Sequence, residues 1–121
     1  MTKKKLLIGT RTTAQFKRET LAAFKRAEAG LPGEEPIYRL YFENENILFK
    51  ALSPKRMELL RFLRQEGPMS IRKLAINLHR DYKNVYDDVK HLLELELIKK
   101  KRDELLYVPW NEITIELKLA G

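Results

Sequence analysis

Three groups of side chains in this chain of 121 residues have types and spacings suited to contact with a polyanion. Tyr82, Lys83, Asn84, Tyr86, Asp87 and Lys90 fall on one side of an amphipathic repeat whose other side is Val85, Val89 and Leu92. An asparagine amide bonds an adenine edge at two points, and a lysine suits guanine O6 and N7, so such a row has the means to read base edges in a major groove. Ser70, Arg72 and Lys73 open the preceding helical segment. Free backbone N–H groups and the positive end of a helix dipole attract phosphate there. Lys99, Lys100, Lys101 and Arg102 are consecutive cations at a candidate hairpin tip, poor core material and good phosphate ligands. Alternation along the strand turns some of them away from any one surface. Arg80, in the turn before the row, adds one more cation. Each group also has a plainer reading: a solvated helix face, a helix cap with surface charge, a charged surface strand.

Other chemistries are poorly served. The chain has no cysteine, which excludes disulfides, thiolate catalysis and cysteine zinc sites. His79 and His91 have the wrong spacing for a metal pair. No nucleophile–base grouping and no glycine-rich phosphate loop stands out, so neither an enzyme nor a cofactor is expected. The net charge is +7. Met1–Gly30 holds 8 basic against 2 acidic residues and Ser53–Trp110 holds 13 against 9, so the surplus sits in the N-terminal arm and around the candidate contacts. A surplus of this size favours nucleic acid as a partner, although an acidic protein or a membrane surface would also fit it. Lys3, Lys4 and Lys5 form either a basic arm or, more simply, a frayed solubilising end. No run is apolar enough for a signal peptide or a membrane span, so the expected location is the cytoplasm or nucleoid.

The elements that must position these residues follow from periodicity and caps. Lys4–Ile8 reads as a strand. Thr12 and Gln15 form a capping box for a helix over about Thr13–Ala29, with Phe16, Thr20, Ala23, Phe24 and Ala27 on one face and Gly30 as its left-handed stop. Pro32, Gly33 and Pro36 mark a loop, Ile37–Phe42 a strand and Glu43–Leu52 a short helix. Ser53–Pro54 opens a helix to Gln65, ended by Gly67–Pro68. Ser70 caps a helix over Ile71–Leu78, His79–Arg80 form a turn, and Asp81 caps a helix over about Tyr82–Leu95. Strands at Leu97–Lys101 and Leu105–Val108 flank the basic turn, and Ile113–Leu119 alternates as a half-buried strand. The rings of Tyr38, Tyr41, Phe42, Phe49, Tyr107 and Trp110 suit a core or a dimer seam better than a ligand pocket.

This order of parts predicts an α+β chain: an N-terminal helix/strand dimerisation arm over 1–52, a winged helix-turn-helix over 53–110 and a C-terminal strand over 111–121. The segments LSPKRMELLRFLRQEGPMSIRKLA, DYKNVYDDVKHLLELELI and VPWNEITIEL resemble a family of small winged-helix DNA-binding proteins of archaea and bacteria. That family is related to MarR-type and ArsR-type regulators, and some of its members are of the antitoxin kind. The resemblance covers roughly two-thirds of the chain. It implies a homodimer on a partly palindromic DNA site. The expected role is a sequence-specific double-stranded DNA-binding regulator, most simply a repressor. The alternative is an antitoxin that binds a protein toxin and autoregulates. An RNA-binding or purely protein-interaction domain is a third class. One departure concerns Asp87 and Asp88, since many MarR-like helices carry a basic residue where Asp87 stands. Two acids on a DNA-facing helix repel phosphate. Asp88 can turn toward the preceding helices; Asp87 can accept from a cytosine amino group or pair with Lys83 or Lys90.

Overall fold

The computed structural model describes residues 4–31 and 38–119. Lys3, the loop residues Pro32, Gly33 and Pro36, and the expected strand start at Ile37 lie outside the described residues. The chain is of mixed α+β type and divides into two compact units, 1–49 with 111–121, and 50–110. No helix among the described residues is long and apolar enough to cross a membrane.

In the first unit, β1 (Lys5–Thr10), β2 (Tyr38–Phe42) and β5 (Glu112–Ile115) form a parallel sheet in the order β2-β1-β5. Parallel neighbours need a crossover between them. For β1 and β2 the crossover carries α1 (Thr13–Glu28), which starts at the expected Thr12–Gln15 capping box. It ends where Gly30 takes φ 73° and its N–H bonds the Ala27 carbonyl. The register sets Leu6 beside Tyr38 and Ile113, and Ile8 beside Leu40 and Ile115. Leu6, Ile8 and Phe42 are buried on that face. On the other face the Arg11 guanidinium lies 4.7 Å from the centre of the Tyr41 ring. The basic start of the chain is not a free arm at Lys4 and Lys5. The Lys4 backbone exchanges hydrogen bonds with Asn111, and Lys5 pairs with Glu112 at 3.6 Å. The expected strand Ile113–Leu119 is paired only through Ile115, with one further bond from Glu116 N–H to the Ile8 carbonyl. Leu119 beyond it is 94% exposed.

The short helix α2 (Glu45–Ala51) is two residues shorter at its start than the sequence suggests, because the Asn44 side chain caps it by accepting from Ile47 N–H. The second unit contains α3 (Pro54–Glu66), α4 (Ile71–Asn77), α5 (Tyr82–Glu94) and an antiparallel hairpin of β3 (Lys99–Lys100) and β4 (Leu106–Tyr107). Ser53, Ser70 and Asp81 cap the three helices as expected. Leu59, Leu63, Leu74, Val85, Val89, Leu92, Leu97, Ile98 and Leu106 are almost wholly buried and form the core. The hairpin strands are shorter than expected. They gain instead a single-residue bridge, in which Met69 and Leu106 exchange both backbone hydrogen bonds.

Candidate nucleic-acid interface

The site is built on α4, its turn and α5. The turn closes by a Schellman motif: His79 N–H bonds the Ile76 carbonyl and Arg80 N–H the Ala75 carbonyl. His79 accordingly takes φ 53°, an uncommon conformation for a residue with a Cβ. Asp81 then accepts from Lys83 N–H and starts α5. The apolar side of α5 is driven into the core at Val85, Val89 and Leu92. With a period of 3.6 residues this forces Tyr82, Lys83, Asn84, Tyr86, Asp87 and Lys90 outward, and all six are exposed. Tyr82 and Tyr86 lie side by side, ring centres 6.3 Å apart. His91 joins them on the open side, with Nδ1 2.8 Å from the Asp87 carbonyl.

The two adjacent acids part company. The Asp87 carboxylate is exposed and makes no ion pair with Lys83 or Lys90. Asp88 turns inward, where Arg56 Nε donates to Oδ1 at 3.0 Å and Arg80 Nη2 donates to Oδ2 at 2.7 Å. Burial by itself raises the pKa of Asp88, but the hydrogen bonds and charges of Arg80 and Arg56 outweigh it. The carboxyl is held below the usual carboxylate range and stays ionised. Arg56 also donates to the carbonyls of Lys50 and Ala51. One carboxylate therefore ties α3, the turn and α5 together and takes its charge away from the outer face.

Arg80 departs from its expected place among the exposed cations. Its side chain is 17% exposed and committed to Asp88. Its Nη1 is buried without a partner among the described residues. Arg80 lines an open groove of 330 Å³ with Arg72, Ala75, Ile76 and Tyr82. Arg72 and Lys73 are exposed at the start of α4, and the exposed Ser70 caps that start by accepting from Lys73 N–H. Sequence reading missed Ile76, which is 66% exposed beside the groove. The only available signal was its place outside the stripe of Ile71, Leu74, Ala75 and Leu78. It also missed Arg56, whose partner stands 32 residues away.

At the hairpin, Lys99, Lys100, Lys101 and Arg102 are all exposed. Glu104, at φ 68°, and Asp103 complete the turn: Glu104 N–H bonds the Lys101 carbonyl, and Asp103 accepts from Leu105 N–H. Lys100 is partly neutralised by Glu104 at 3.5 Å and lies opposite the buried Leu106, whereas Lys99 lies opposite Tyr107. Alternation puts Lys99 and Lys101 on the other side from Lys100. The rings read as core or dimer-seam material differ in burial. Phe42 and Trp110 are buried in different units, Trp110 donating to the Glu96 carbonyl at 3.1 Å, while Tyr38 and Phe49 are about half exposed. No group of three or more potential metal ligands is found among the described residues.

No curated protein and no solved structure matches the chain. A family model described as HVO_A0114 matches residues 51–115, which takes in α3, α4, α5, the hairpin and β5. That span is more than half of the 121 residues, and the chain belongs to the HVO_A0114 family.

Proposed function

We propose that residues 50–110 act as a winged helix-turn-helix, and that the protein is a double-stranded DNA-binding regulator working as a homodimer. The observation that carries this reading is the partition of α5. Its apolar side and Asp88 are consumed by the fold, and a continuous row of tyrosine, lysine and asparagine is left on the open side. In this reading α5 enters the major groove, with Lys83 and Asn84 at its first turn deepest. Arg72 and Lys73 lie at the phosphate backbone, and Lys99, Lys101 and Arg102 reach a neighbouring strand. Asp87 selects against guanine and for a cytosine amino group at its position. Two such helices in a dimer address half-sites about one helical turn apart.

The test is fluorescence anisotropy with duplexes from the native upstream region, at low and then rising salt. Specific binding that weakens linearly on a log–log salt plot supports the proposal. A folded protein that binds no duplex at low salt ends it. A-form RNA as competitor separates groove entry from charge attraction, because its deep groove does not admit the helix.

A further inference from the structure

The helix α1 turns its smaller side toward its own sheet. Glu19, Ala22, Ala23 and Arg26 line a groove of 410 Å³ with Arg39 of β2. Glu19 is also held by Arg11 Nε at 3.0 Å. The large apolar side chains are left in water: Phe16 is 54%, Leu21 53% and Phe24 60% exposed, and no residue of α1 is buried. A contiguous apolar patch of this kind on a helix marks a contact surface.

We infer that this face is covered by the same face of a second copy of the chain, the two α1 helices lying antiparallel about a twofold axis. The inference deepens the dimer part of the proposed function by naming its contact. Two features select a second copy as the occupant. Phe16 and Phe24 stand about one turn to either side of Thr20, so the stripe reads alike in both directions. A twofold axis crossing the stripe just past Thr20 brings each Phe16 within about one turn of the second copy's Phe24, with Thr20 where the helices approach most closely. The charges agree. Lys17 and Glu28 lie about three turns apart on the same edge of the stripe. Both are exposed, and neither is paired among the described residues. Antiparallel pairing sets each Lys17 toward the second copy's Glu28 at both ends of the contact. Parallel pairing would leave each Lys17 about three turns from the second copy's Glu28, with no such match. Leu31 lines the groove instead, so the three exposed side chains alone offer on the order of 300 Å² per copy. That is less than half of the ~800 Å² per partner of a durable interface, so the pair is concentration-dependent.

The test is sedimentation of the full chain without DNA over a concentration series. The mass should rise from monomer to dimer, and Phe24→Glu should weaken association at least about tenfold. Lys17→Glu and Glu28→Lys should each weaken self-association. An equimolar mixture of the two single variants should restore it, because each mixed contact then joins opposite charges. A folded wild-type chain that stays monomeric throughout overturns the inference and leaves the face to a different protein. A dimer indifferent to Phe24→Glu and to the charge variants places the contact elsewhere and overturns it equally. Because no DNA is present, a monomer that still binds duplex sinks only this inference, and a dimer that binds none sinks only the DNA reading.

Discussion

Replacing Asp88 by asparagine keeps the shape of the clamp and removes its charge. The carboxylate accepts two charge-assisted hydrogen bonds, from Arg56 at 3.0 Å and Arg80 at 2.7 Å. The three side chains are only 15–17% exposed. Such bonds are each worth about 1.5–3 kcal/mol. An amide retains one acceptor and loses the other, and it leaves two guanidinium groups without a counter-charge. The expected loss is about 2 kcal/mol, since the refunded burial of the carboxylate offsets part of the gross figure. Trp110 is the only tryptophan and is buried in the same unit, so its fluorescence reports this transition directly. With a urea slope near ~1 kcal/mol/M for a unit of this size, the midpoint should fall by about 2 M. Asp87→Asn, one residue away and exposed, should stay within about 0.5 kcal/mol of wild type. The pH dependence has a definite sign. The folded-state pKa of Asp88 lies below the unfolded value, so its contribution is complete above about pH 3.9 and is lost as pH falls through the lower, folded value. The gap between wild type and Asp88→Asn should therefore close on acidification below that pH. Equal midpoints for Asp88→Asn and Asp87→Asn at neutral pH would refute the reasoning.

Three other outcomes are expected. His79→Gly relieves a side chain at φ 53° and should stabilise the protein by about 0.5 kcal/mol, net of the greater freedom glycine has when unfolded, whereas His79→Ala should not; urea midpoints decide it. Lys99→Ala and Lys101→Ala should each lower the slope of log K against log salt by about one, and Lys100→Ala by less, because Glu104 already holds that ammonium and alternation turns it to the other side; binding isotherms over a salt series measure this. Asn84→Ala should relax discrimination at a single base pair by ~1–3 kcal/mol, and an equal loss on every sequence in a panel of substituted duplexes would instead mark Asn84 as a backbone contact.

What the sequence made legible is what short-range physics decides. Thr12, Ser53, Ser70 and Asp81 are caps whose bonds close within three residues, and all were readable without coordinates. The division of α5 into Val85, Val89 and Leu92 against an outer row was equally readable, because a period of 3.6 fixes which residues share a side. What needed the structure depends on contacts distant in the chain. Arg80 looked like one more surface cation until it and Arg56, 32 residues before Asp88, converged on the Asp88 carboxylate. The parallel pairing of β5 with β1 joins residues more than a hundred positions apart, and Met69 forms its single-residue bridge only through Leu106.

The most instructive case is α1. Spacing put Phe16, Thr20, Ala23, Phe24 and Ala27 on one face, yet Ala23 and Ala27 line the groove beside Arg39 of the chain's own sheet while Phe16 and Phe24 stay exposed. Periodicity records which side of a helix is meant to leave water, and it does so without saying which molecule removes the water. A face that is apolar in sequence and exposed in the single chain is therefore the place to test for assembly. The edge charges of α1 carry the further information that spacing lacks. A stripe bounded by a cation at its start and an anion at its end matches itself only when reversed. The pairing of Lys17→Glu with Glu28→Lys in a mixed dimer is accordingly the decisive measurement, because a third protein on that face has no reason to reward it.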